Sequence, residues 1–230
     1  MNRNTILLLH GALGAKSQLT PLQTLLSETL DCYVMNFEGH GDRPSDHEYS
    51  ISRFSKNISD YILEMNLNKP HIFGYSMAGY AALNLAQRHS DAIGKIITLG
   101  TKFNWTPEGA QKEVKMLDPE KILEKVPAFA AHLEHVHSAN LWKNVLQKTS
   151  DMMIRLGDSP LLNKEILEQI NNDVLIMLGE LDHMVTEAES IHAAVALPNG
   201  TFRKLEGTKH PIEKVNIELL ASRIQEFITS

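Results

Sequence analysis

Six short runs of residues constrain this chain more than any other feature. TILLL (5–9), CYVMNF (32–37), HIFGY (71–75), KIITLG (95–100), DVLIML (173–178) and TFRKL (201–205) all read as strands. The first five are apolar along most of their length instead of alternating. Strands covered on both faces have that composition. TFRKL alternates and suits a sheet edge. Between the runs lie segments with helical spacing: Leu19, Leu22, Leu25, Leu26 and Leu30; Phe54, Ile58, Tyr61, Ile62 and Met65; Ala81, Ala82, Leu85 and Ala86; and Ile217, Leu220, Ile224 and Ile228. Apolar residues three and four apart share one helix face. Alternation of strand and helix implies a parallel sheet with helices on both sides. The rhythm breaks between about residues 101 and 165. Pro107, Pro119 and Pro127 are followed there by helical stretches such as FAAHLEHV and LWKNVLQ. A helical insertion between two strands accounts for this, and no repeat or long linker divides the chain.

Composition bounds the function. A chain of 230 residues, 43% hydrophobic and 22% charged, suits one globular domain with a substantial core. The formal charge of −6 and the lack of a Lys/Arg stripe argue against a nucleic-acid partner. Cys32 is the single cysteine, so no internal disulfide forms, and it reads as a small buried residue. The aliphatic run before His10 is too short for a signal-peptide core or a membrane span. A cytoplasmic protein without a membrane anchor is the expectation.

HIFGYSMAGYAAL (71–83) carries the strongest chemical signal. A strand runs into Gly74-Tyr75-Ser76-Met77-Ala78-Gly79, and a helical pattern follows. Small residues two before and two after Ser76 allow a sharp turn with a strained centre. The helix behind it presents unpaired N–H groups. The alternative is a serine that merely caps a helix. The stretch resembles the nucleophile elbow G-x-S-x-G of the α/β-hydrolase family, with Ala78 in place of the last glycine.

The rest of the family pattern follows in order along the chain. DVLIMLGELDHMV resembles the strand followed by G-x-x-D that supplies the acid; Asp182 fits, with Glu180 as an alternative. GTKHPIE places His210 in a loop before the last helix, where the family carries its base. LLLHGALG (7–14) resembles the oxyanion-hole motif, which implies the backbone N–H groups of Ala12 and Met77 as donors. His10 is then structural and packs beneath the loop. NFEGHGDRPS (36–45) resembles a further family loop, with Asn36 replacing its aspartate, and shapes the back of the site.

The resemblance covers nearly the whole chain. It implies an α/β-hydrolase fold: one domain over 1–230, a mostly parallel sheet of about six strands flanked by helices, and a helical lid at about 103–160. It also implies a serine hydrolase with Ser76 as nucleophile, His210 as base and Asp182 as its orienting acid. A carboxylic ester or related acyl compound is the expected substrate. Thioester, carbon–carbon and perhydrolysis chemistry use the same residues, and a ligand-binding or signalling protein with slow turnover is the alternative class. Candidate substrate contacts are Gly11, Leu13, Tyr75, Trp105, Phe129 and Trp142. No cofactor or metal is expected. His132, His135 and His137 in HLEHVH read as a solvated or interfacial helix, because His132 and His135 share a face and His137 points elsewhere. The expected partner is a small acyl molecule, and the assembly a monomer or homodimer.

Overall fold

The computed structural model describes residues 3–138 and 141–230. Six strands form one sheet: β1 (Thr5–Leu9), β2 (Asp31–Met35), β3 (His71–Tyr75), β4 (Ile96–Leu99), β5 (Val174–Gly179) and β6 (Gly200–Leu205). Their order is β2-β1-β3-β4-β5-β6, and every neighbouring pair is parallel. All six C-terminal ends therefore lie along one edge of the sheet. The order reverses between β1 and β3, the position at which open α/β sheets place their binding crevice.

Ten helices are described: α1 (Thr20–Leu26), α2 (Ile51–Glu64), α3 (Met77–His89), α4 (Pro107–Val114), α5 (Pro119–Lys125), α6 (Pro127–His137), α7 (Trp142–Asp158), α8 (Lys164–Leu167), α9 (Glu187–Ala196) and α10 (Ile217–Thr229). The pleat divides the apolar strand residues between two cores. Leu7, Leu9, Ile72, Ile96, Val174 and Ile176 face α2, α3, α7 and α9. Ile6, Leu8, Phe73, Ile97, Leu175 and Met177 face α1 and α10. Central strands covered on both sides have no polar face, which explains their composition.

β2 departs from that expectation. It is an edge strand, and Cys32, Tyr33 and Val34 are only half-buried. An apolar run does not reveal how many neighbours a strand has. β6 takes the opposite edge, in keeping with its alternation. Helices α4 to α8 fill the interval between β4 and β5. Pro107, Pro119 and Pro127 each open a helix, where the missing N–H carries no penalty.

Candidate active site

Ser76 sits between β3 and α3 with φ 52° and ψ −114°. Left-handed φ is unfavourable for a residue with a side chain and carries strain of about 1–3 kcal/mol. Its neighbours hold it there. Ser76 N–H donates to Leu99 O at 2.8 Å, and Ser76 O accepts from Gly79 N–H at 3.1 Å and from Thr101 Oγ1 at 2.8 Å. A Cβ at position 74 would stand 2.5 Å from Gly79 N, so the turn is possible only with glycine at that position.

Asp182 and His210 come from the loops after β5 and β6. These loops are joined by Glu180 N–H to Leu205 O at 2.9 Å and Leu181 N–H to Thr208 O at 2.8 Å. His210 Nδ1 lies 2.7 Å from Asp182 Oδ2, and the Asp182 side chain is almost wholly buried. Burial pushes the Asp182 carboxyl up. The bond to His210 and N–H donation from Met184 and Val185 outweigh it, so the pKa lies below the usual carboxylate value. An ionised Asp182 requires hydrogen on Nδ1 of His210, which leaves Nε2 free to accept a proton. Gly100, at φ 63°, backs this pair: a Cβ there would meet His210 Nδ1 at 3.1 Å and Asp182 Oδ2 at 3.3 Å. The alternative acid, Glu180, turns away and accepts from Gly207 N–H at 2.8 Å. His183 is exposed.

The loop after β1 closes the site from the other side. Gly11 packs so tightly that a Cβ would meet the Tyr75 ring at 2.9 Å and Ser76 Cβ at 3.2 Å. Gly14 N–H donates to Gly11 O at 3.2 Å, forming a turn with Ala12 at its second position. His10 is buried beneath it, with Nδ1 2.8 Å from Gly11 O and Nε2 accepting from Phe37 N–H at 3.2 Å.

A cavity of about 50 Å³ lies over Ser76. Ala12, Met77, Tyr80, Lys102 and Trp105 line it together with Met152, Met153 and Leu156 of α7. A larger groove of about 670 Å³ runs between α8 and α9, but it contains none of Ser76, Asp182 and His210. Ser76 alone of the three lines the smaller cavity.

Several sequence candidates fall elsewhere. Trp142 is buried with Ile122, Ala130, Leu133 and Leu146 in the core of the insertion itself. Phe129 is partly exposed on α6, outside the cavity. Tyr75 sends its hydroxyl to His210 O at 3.0 Å, under the histidine loop, so it positions that loop instead of lining the cavity. Leu13 packs between the main core and the insertion core. The bulky apolar residues of the insertion mostly cover one another, which periodicity alone cannot distinguish from covering a ligand.

Two features escape sequence reasoning. Lys102 reaches from the loop after β4 into the cavity and pairs with Glu113 of α4 at 3.2 Å; the available signal was its place three residues beyond a strand. His137, from the histidine-rich helix, is buried and bonded to both glycine-containing loops, at Leu13 and Gly41. Among the described residues no group of His, Cys, Asp and Glu is arranged to hold a metal ion, and no helix is long and apolar enough to cross a membrane.

Comparison with known proteins agrees with the fold. The sequence model of one family, described as alpha/beta hydrolase fold, matches residues 4–149. A Bacillus subtilis (strain 168) protein provisionally named a 2-succinyl-6-hydroxy-2,4-cyclohexadiene-1-carboxylate synthase is 23% identical, covering 98% of this chain and 90% of its own. A serine hydrolase from Cycloclasticus zankles superposes with a TM-score of 0.82 at 18% identity, over 99% of this chain and 90% of that one. The 2-hydroxy-6-oxo-6-phenylhexa-2,4-dienoate hydrolase from Rhodococcus superposes with a TM-score of 0.81 at 19% identity, over 99% and 91% of the two chains.

Proposed function

The chain belongs to the α/β-hydrolase fold family, and on that premise we propose that it is a serine hydrolase of carboxylic esters or related acyl compounds. One observation carries the reading: the Asp182 carboxyl lies 2.7 Å from His210 Nδ1, at the sheet edge where Ser76 is held in a strained conformation. Ser76 Oγ attacks the substrate carbonyl and its proton passes to His210 Nε2. The N–H groups of Ala12 and Met77 receive the oxyanion. Collapse of the tetrahedral adduct expels the alcohol, which takes the proton from His210. Water then loses a proton to His210 and attacks the acyl-enzyme; as this second adduct collapses, the departing Ser76 Oγ takes that proton back from His210 and the carboxylic acid is released. Asp182 keeps the imidazole in the required tautomer and stabilises its charged form.

Helices α4 to α7 act as a lid in this reading, since α7 supplies Met152, Met153 and Leu156 to the cavity roof. A cavity of about 50 Å³ favours a short acyl group. Incubation with a fluorophosphonate, followed by peptide mass spectrometry, is expected to find the adduct on Ser76. A set of p-nitrophenyl esters is expected to turn over with acetate preferred to octanoate, and Ser76→Ala to abolish turnover. Labelling at another residue, or turnover that survives Ser76→Ala, would refute the mechanism.

A further inference from the structure

Three buried imidazoles stand in a row behind the β1 loop. The His40 ring centroid lies 5.2 Å from that of His10 and 5.7 Å from that of His137. They come from three separate parts of the chain: the end of β1, the glycine turn at 39–41 and the last residue of α6. His137 differs in joining the insertion to the other two.

The partners of His137 determine its protonation. Gly41 N–H donates to Nδ1 at 3.0 Å, so that nitrogen carries no hydrogen. Leu13 O lies 2.8 Å from Nε2 and can only accept, so Nε2 bears the hydrogen. One neutral tautomer thus spans two loops.

The Leu13 end matters most. Leu13 has φ 62°, a left-handed conformation that a leucine rarely adopts. It is the third residue of the Gly11–Gly14 turn, and Ala12 is the second. Strained backbone of this kind persists where surrounding contacts over-determine it. Gly14 N–H to Gly11 O holds one side of the Leu13–Gly14 peptide, and His137 Nε2–H to Leu13 O holds the other.

We propose that His137 is a positioning residue that clamps this turn, so that the Ala12 N–H points at the oxyanion only when the insertion is seated. This rests on the reading of Ala12 as an oxyanion donor. The insertion thereby completes the oxyanion site through backbone geometry, besides roofing the cavity.

Three variants separate the two bonds. His137→Gln keeps a donor near Nε2 for Leu13 O, His137→Asn keeps an acceptor near Nδ1 for Gly41, and His137→Phe keeps ring bulk and loses both. The readouts are kcat and KM for p-nitrophenyl acetate and the rate of fluorophosphonate labelling of Ser76. All are taken well below each variant's thermal midpoint. Asn and Phe are expected to lower kcat and the labelling rate roughly 10- to 100-fold with KM within twofold, and Gln to recover most of the loss. Should Phe fail to fold, the Asn and Gln pair decides. A structural role alone would lower the midpoints and leave kcat intact in all three, which overturns the proposal. So does an equal loss in Asn and Gln. Wild-type turnover that does not need Ser76 refutes the hydrolase reading itself, and this clamp with it.

Discussion

Lowering the pH from 7 to 5 should destabilise this protein through its buried histidines. His10 is wholly enclosed; burial lowers its pKa from 6.5 to about 4, opposed by its bond to Gly11 and assisted by His137. His40 is lowered well below the ordinary value by burial, then by His10 and His137. His137 is lowered by burial too. The sign follows from linkage: below pH 6.5 the unfolded chain binds protons that the folded chain refuses, so stability is lost as pH falls. For His10 alone, a pKa moving from 6.5 to about 4 gives a loss of about 2 kcal/mol between pH 7 and pH 5. His40 and His137 add to it in the same direction. The Asp182 carboxyl is held below its usual value, so its contribution is lost only at lower pH, outside this window. Urea unfolding at the two pH values measures the difference. His10→Asn supplies the control: it lowers stability at both pH values but shrinks the pH-dependent loss by about 2 kcal/mol. Equal stability of the wild type at pH 7 and pH 5 would show that these imidazoles are not buried neutral.

Other consequences can be checked on single variants. Asp182→Asn should leave the thermal midpoint near that of the wild type but lower kcat roughly 10³- to 10⁴-fold, because the amide no longer selects the Nδ1–H tautomer; retained kcat would contradict the assigned pairing. Gly74→Ala drives a Cβ into the backbone at Gly79 and should cost about 2–3 kcal/mol in urea unfolding. Ser76→Gly should raise unfolding stability by about 1 kcal/mol while abolishing turnover, since it releases the left-handed strain. Lys102→Met removes the ion pair with Glu113 and leaves that carboxylate unpaired, so it should loosen α4; faster hydrogen exchange over residues 107–114, with the sheet unchanged, is the expected signature.

Local pattern was enough to read the central strands, because a strand covered on both faces has little room for polar residues. Ile96, Ile97, Val174 and Leu175 are buried on opposite sides, and their composition alone states it. The sharp turn was readable for a similar reason: Gly74 leaves space that no other residue leaves. The places of Asp182 and His210 after β5 and β6 follow from the parallel direction of the strands, which brings loops distant in sequence to one edge. The insertion was legible as helices and not as contacts. Spacing of 3.6 residues defines an apolar face but not what that face meets. Hence Trp142 looked like a pocket residue and is core, and Tyr75 looked like a substrate contact and holds the histidine loop. His137 stands 124 residues from Leu13 and 96 from Gly41. Its two bonds depend on how α6 settles across loops from the other end of the chain, and only tertiary packing decides that.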